Sequence, residues 1–125
     1  MTEGVRSYRD LEVWRLSIEW IEAVYRATAG WPSDERFGLT SQGPRAAVSV
    51  ASNIAEGAAR RTTGEFLQFL GMAQGSLAEA ETQLVIATRL GYLNSETNQA
   101  LTSPADRISR MLASLASALK RRKSS

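Results

Sequence analysis

The 125-residue chain contains no cysteine and no histidine. Cysteine nucleophiles, histidine general bases, Ser-His triads, zinc sites of the usual ligand types and His-linked di-iron sites are therefore excluded. Proline is scarce, with three in all. Sustained period-2 alternation of β-branched residues, the mark of strands, is missing. The N-terminal stretch MTEGVRSYRDLE lacks the roughly 7–15 apolar residues of a signal peptide. No segment approaches the about 18 apolar residues of a membrane span. The expectation is a soluble, cytoplasmic protein with no membrane association. Charge of one sign is also missing: 15 basic residues face 13 acidic ones, a net of +2.

The chain does contain 43% hydrophobic and 22% charged residues, near the average for a globular protein. Its length suits a single domain over 1–125. The repeating period is helical. A first helix is predicted over about 8–29. Leu11, Trp14, Ile18, Ile21, Tyr25 and Thr28 form its main seam, and Val13, Leu16, Trp20 and Val24 a second apolar line. Gly30 and Pro32 stop it.

A second helix is predicted over about 41–59, capped by Thr40 or Ser41, with Pro44 in its first turn. Small and apolar residues cover most of its circumference, which marks it as central. A third helix is predicted over about 64–90, capped by Thr62 or Thr63. Phe66, Leu70, Ala73, Leu77, Ala80, Leu84 and Ala87 step by 4, 3, 4, 3, 4, 3 along it. Met72, Ile86 and Leu90 lie on a weaker second line, and Gly91 ends the helix.

The last helix is predicted over about 95–120, with a kink or break at Pro104, since Ser103-Pro104-Ala105-Asp106 reads as a helix start. Residues 121–125 form a basic tail. Four helices with short connections make an all-α, antiparallel up-down-up-down four-helix bundle. The excess apolar surface points to burial between subunits.

The segment Gly38–Gly57, GLTSQGPRAAVSVASNIAEG, carries the most specific pattern. Leu39-Thr40-Ser41-Gln42, Arg45-Ala46-Ala47-Val48-Ser49 and Ser52-Asn53-Ile54-Ala55-Glu56-Gly57 are similar to the signature of the 23S ribosomal-RNA intervening-sequence proteins. The opening Tyr8-Arg9-Asp10-Leu11-Glu12-Val13-Trp14 and much of the third helix also resemble that family. The likeness runs from about Ser7 to Lys120. Departures are local: Gly43-Pro44, Ala51 and Pro104 stand where the family has other residues. The resemblance implies a cytoplasmic four-helix bundle that tends to form a ring-like homopentamer. A related bundle is the accessory protein of diversity-generating retroelements, where it binds a reverse transcriptase and nucleic acid. The expected partners are thus a second copy of the chain, RNA or DNA, or another protein such as a reverse transcriptase. Enzymatic activity is not a family trait, and no cofactor or metal is expected.

Candidate functional residues fall into two groups. Arg45, Arg60 and Arg61 are candidate nucleic-acid ligands, because the guanidinium fork matches phosphate. The alternative is that Arg45 and Arg60 pair with Glu56 or Glu65. Lys120, Arg121, Arg122 and Lys123 are auxiliary phosphate contacts or a solubilising tail. Without these four cations, 11 basic residues face 13 acidic ones, so the body carries −2. The second group, Gln42, Ser49, Ser52, Asn53 and Glu56, is the signature polar strip, bonding across helices, across a subunit interface or to a docked partner. Trp14 and Trp31 are expected in the core and Trp20 at a subunit interface, rather than stacking on bases. Glu65, Glu79 and Glu81 do not share a helix face in the way a metal or acid–base site requires. The functional expectation is a non-enzymatic accessory protein that contacts RNA or DNA phosphates; the alternative is an oligomeric interaction scaffold.

Overall fold

Ser7 closes a one-turn unit before any long helix begins. Its hydroxyl accepts from the Arg9 N–H at 3.0 Å, and Asp10 accepts from the Ser7 N–H at 3.2 Å, a reciprocal capping box. In the computed structural model, which describes residues 7–124 with side chains through Arg122, this turn is a 3-10 helix over Tyr8–Asp10. Leu11 is extended, and α1 then runs Glu12–Thr28. The expected single helix from residue 8 is thus two pieces, because the box satisfies the first turn and Leu11 redirects the chain. A short 3-10 turn, Ser33–Glu35, precedes α2, Leu39–Ala58; α3 is Thr63–Arg89 and α4 is Ser95–Ser124. Among the described residues the fold is all-α with four α-helices and no strand.

The face of α1 that enters the core draws on both expected lines, Val13, Trp20 and Val24 from the second and Ile21 and Thr28 from the main seam. Val13, Ser17, Trp20, Val24 and Thr28 are buried, whereas Tyr25 is 52% exposed. Ser17 is the member of this face that neither line contained. It is polar, but its hydroxyl donates to the Val13 carbonyl at 2.7 Å, so it can be buried without an unmet hydrogen bond. Trp20, expected between subunits, is 1% exposed in the core, and its indole N–H donates to the Leu101 carbonyl.

Helix α2 starts at Leu39, earlier than expected, and neither Thr40 nor Ser41 caps it. Glu35 reaches over from the preceding turn to accept from the Leu39 N–H at 3.4 Å. Pro44 consequently lies inside the helix rather than in its first turn. Half of α2 is buried, and Gly57 lies close against α3. A Cβ there would stand 2.7 Å from Phe69 Cβ and 3.0 Å from Phe66 Cδ1.

Thr62 caps α3, accepting from the Glu65 N–H at 3.1 Å and donating to the Glu65 carboxylate at 2.9 Å. Phe66, Leu70, Ala73, Leu77, Ala80, Leu84 and Ala87 are all buried, so the predicted seam is the core face. The helix ends on Gly91 at φ +85, with the Tyr92 N–H on the Ala87 carbonyl and the Gly91 N–H on the Thr88 carbonyl. This is a Schellman termination, which needs a left-handed residue.

Asn94 caps α4 by accepting from the Thr97 N–H at 2.7 Å. Of the kink or break expected at Pro104, the break is absent, and the helix continues through the proline. Leu101, Ala105, Ile108, Leu112 and Leu119 are buried on both sides of the proline. One continuous apolar stripe holds the helix together across the lost N–H. Helices adjacent in sequence pack together, α1 also packs on α4, and one apolar cluster joins all four.

Candidate nucleic-acid interface

Ala59 to Thr62 link α2 to α3 by the shortest connection between the four α-helices. Gly57 brings the two helices together just before it, so the arginines that follow are held against α3. The Arg60 guanidinium lies over the Phe69 ring, 4.7 Å from its centroid. That contact places the charge against the ring face.

The last turns of α4 meet this connection. Arg60, Arg61 and Arg122 line one cleft of about 200 Å³, floored by Phe66 and Leu119 and edged by Thr62. The structure thus joins Arg60 and Arg61 with one residue of the basic tail. Lys120 and Arg121 are exposed on the same helix end. The side chain of Lys123 lies outside the described residues. Arg45 is not part of the cluster: it is exposed near the start of α2, roughly 20 Å from Arg60 along the helix. Among the described residues, neither Arg45 nor Arg60 forms an ion pair with Glu56 or Glu65; ion pairs form at Arg26–Glu22 and Arg107–Glu12. Arg60 stacks on Phe69 instead, and Glu65 is engaged by Thr62.

The signature polar strip splits into two environments. The Ser49 hydroxyl lies 2.8 Å from that of Ser76 and ties α2 to α3, while Asn53 donates to the Ser49 carbonyl at 2.9 Å within α2. Gln42, Ser52 and Glu56 are exposed. Ser52 borders a groove of about 290 Å³ between α1 and α2, whose walls include Trp14, Ile18, Val48 and Ala55.

The perturbed acids are not among the residues lining the cleft. Burial, and then the Asp106 carboxylate, push Glu81 above the usual carboxylate range. Tyr92 is pushed up chiefly because its hydroxyl donates to Glu35 at 2.9 Å. Among the described residues no cluster of acidic side chains is arranged to hold a metal ion.

Sequence reasoning missed Phe69 and Leu119 as parts of the site. Leu119 lies at helical apolar spacing and reads as core, while Phe69 lies off the α3 seam. Their place beside the arginines depends on which helix ends meet, and that is a property of the assembled fold.

The sequence model of the 23S rRNA-intervening sequence protein family matches residues 9–114. The chain belongs to that family. The fold is similar to the crystal structure of a protein of unknown function from the S23 ribosomal protein family of Bacteroides thetaiotaomicron, with TM-score 0.78 and 21% identity over 84% of this chain and 95% of that one. No curated protein matches the sequence. Within this intervening-sequence protein, Arg45, Arg60 and Arg61 fall inside the family match, while Leu119 and Arg122 lie beyond it. The cleft therefore combines family-matched residues with the chain's own last helical turns. No helix among the described residues is long and apolar enough to cross a membrane.

Proposed function

We propose that this intervening-sequence protein is a non-enzymatic, nucleic-acid-associated accessory protein that binds RNA or DNA phosphates. The convergence of Arg60, Arg61 and Arg122 on one cleft carries this reading. Arginine forks give directed, charge-assisted bonds to phosphate oxygens. Lys120, Arg121 and Lys123 add long-range attraction from the same helix end, while the remainder of the chain is mildly acidic. Arg45 stands apart from this centre.

The bundle is proposed to be antiparallel. Contacts between α2 and α3 support this, since Gly43 approaches Gln83, Ser49 meets Ser76 and Gly57 faces Phe69. A ring-like homopentamer, implied by the family resemblance, would gather about 20 tail cations and strengthen weak phosphate contacts by multivalency. A cytoplasmic location and a protein partner such as a reverse transcriptase belong to the same proposal.

Titrating fluorescent single-stranded RNA and DNA oligonucleotides with protein at several salt concentrations tests the function. Binding that weakens steeply with salt supports it. Undetectable binding at low ionic strength overturns it. A second reading, an oligomeric scaffold without nucleic acid, draws on exposed apolar side chains: Phe37 is 82% exposed, and Met72, Val85, Ile86 and Leu90 are exposed along α3 and its C-terminal cap. A partner retained after nuclease treatment by a protein that binds no oligonucleotide would favour it.

A further inference from the structure

We infer that the Arg60–Arg61–Arg122 cleft is a receptor for a terminal phosphate monoester of a nucleic-acid strand, rather than for the diester backbone along its length. This deepens the nucleic-acid reading above and rests on it.

Three observations favour an end group. The first is charge. A monoester carries about −1.5 to −2 at neutral pH, a diester only one negative charge per phosphate. Three arginines among the residues lining one cleft suit the more highly charged group. The second is shape. Proteins that hold a continuous strand present a groove of cations that follows the backbone. Here the cleft is about 200 Å³ and floored by Phe66 and Leu119 from two different helices. The third is the placing of the other cations. Successive residues on a helix point to different sides, so Lys120 and Arg121 do not extend the line of Arg122. Arg45 lies roughly 20 Å away along α2. The charges meet at a point and do not form a track.

Arg60 is held over Phe69 at 4.7 Å. The Glu65 carboxylate, three residues beyond Thr62, is occupied by the Thr62 hydroxyl at 2.9 Å and is not among the residues lining the cleft.

The test uses the full chain and one single-stranded 12-mer RNA in three forms, with hydroxyl ends, a 5′-phosphate or a 3′-phosphate. Fluorescence anisotropy gives the affinities, and a phosphoserine peptide is a fourth probe. A terminal phosphate at one end or the other should tighten binding about tenfold, the effect of one added charge-assisted hydrogen bond. Arg61→Ala should abolish that preference, and Arg45→Ala should preserve it, with circular dichroism confirming that both variants fold. Should Arg61→Ala misfold, Arg122→Ala replaces it, with the same loss expected. Equal affinity for all three RNAs overturns the end-group assignment while leaving general nucleic-acid binding intact. No binding of any RNA overturns both, as does binding confined to the phosphopeptide. A preference that survives Arg61→Ala and Arg122→Ala places the receptor elsewhere and overturns the assignment to this cleft.

Discussion

Trp20 on α1 donates its indole N–H to the Leu101 carbonyl on α4 at 3.0 Å, across 81 residues of sequence. The bond fixes both the depth of the largest fully buried side chain and the register of the first helix against the last. It lies one residue from Ala100, whose carbonyl has no helical N–H partner because Pro104 stands four residues on. Trp20→Phe removes the bond and part of the ring, and should cost about 1–3 kcal/mol in urea unfolding. Unchanged stability would mean that α1 and α4 are not locked at this point.

Two glycines should respond in opposite directions to the same substitution. Gly57→Ala places a methyl 2.7 Å from Phe69 Cβ. Overpacking of this kind costs about 1–3 kcal/mol. At Gly75, on the exposed side of α3, an added methyl would have open space, with no atom within 4 Å. Gly75→Ala should stabilise by about 0.5–1 kcal/mol through helix propensity alone. Thermal melts of the two variants, compared with the parent chain, check both signs.

Salt dependence should report the number of phosphates engaged. If the three clefted arginines share one terminal phosphate, they should contribute only about −0.7 per phosphate charge neutralised to the log–log slope for single-stranded nucleic acid. Arg60→Ala should make that slope shallower. A variant that lowers affinity without changing the slope would show that Arg60 acts by packing on Phe69 alone.

Glu81 gives stability an acid dependence opposite to that of a paired carboxylate. Burial and Asp106 raise its folded value above the usual 4.5. The folded state therefore favours the protonated acid, and stability falls as pH rises from 4.5 through the folded value. Glu81→Gln should be more stable than the parent at pH 7, with the gap closing below the unfolded pKa. Paired urea titrations at pH 7 and about pH 4 measure this; a gap that widens on acidification would contradict the sign.

The core of α3 was legible because its seam is made of large and small apolar residues at an unbroken heptad spacing, all of which are buried. On α1 most of the buried face was legible from its two apolar lines, but Ser17 was not, because it meets its hydrogen-bonding need within its own helix and so passes for a surface residue. Pro104 reads locally as a start signal, yet buried residues on both sides of it share one stripe, and tertiary packing overrides the local signal. Arg60 and Arg61 could be picked out by residue type and position. Their union with Arg122, and the separation of Arg45, could not, since these follow from the meeting of distant helix ends.

Phe69 serves packing and charge placement at once. It is the wall that Gly57 approaches and the platform on which Arg60 rests. A side chain in that double position is pleiotropic. Changes at residue 69 will register as binding defects even when their origin is the spacing of α2 and α3. Selection for a different ligand must then work around Phe69, through Arg61 and the last turns of α4, where charge can be exchanged without altering how the helices pack.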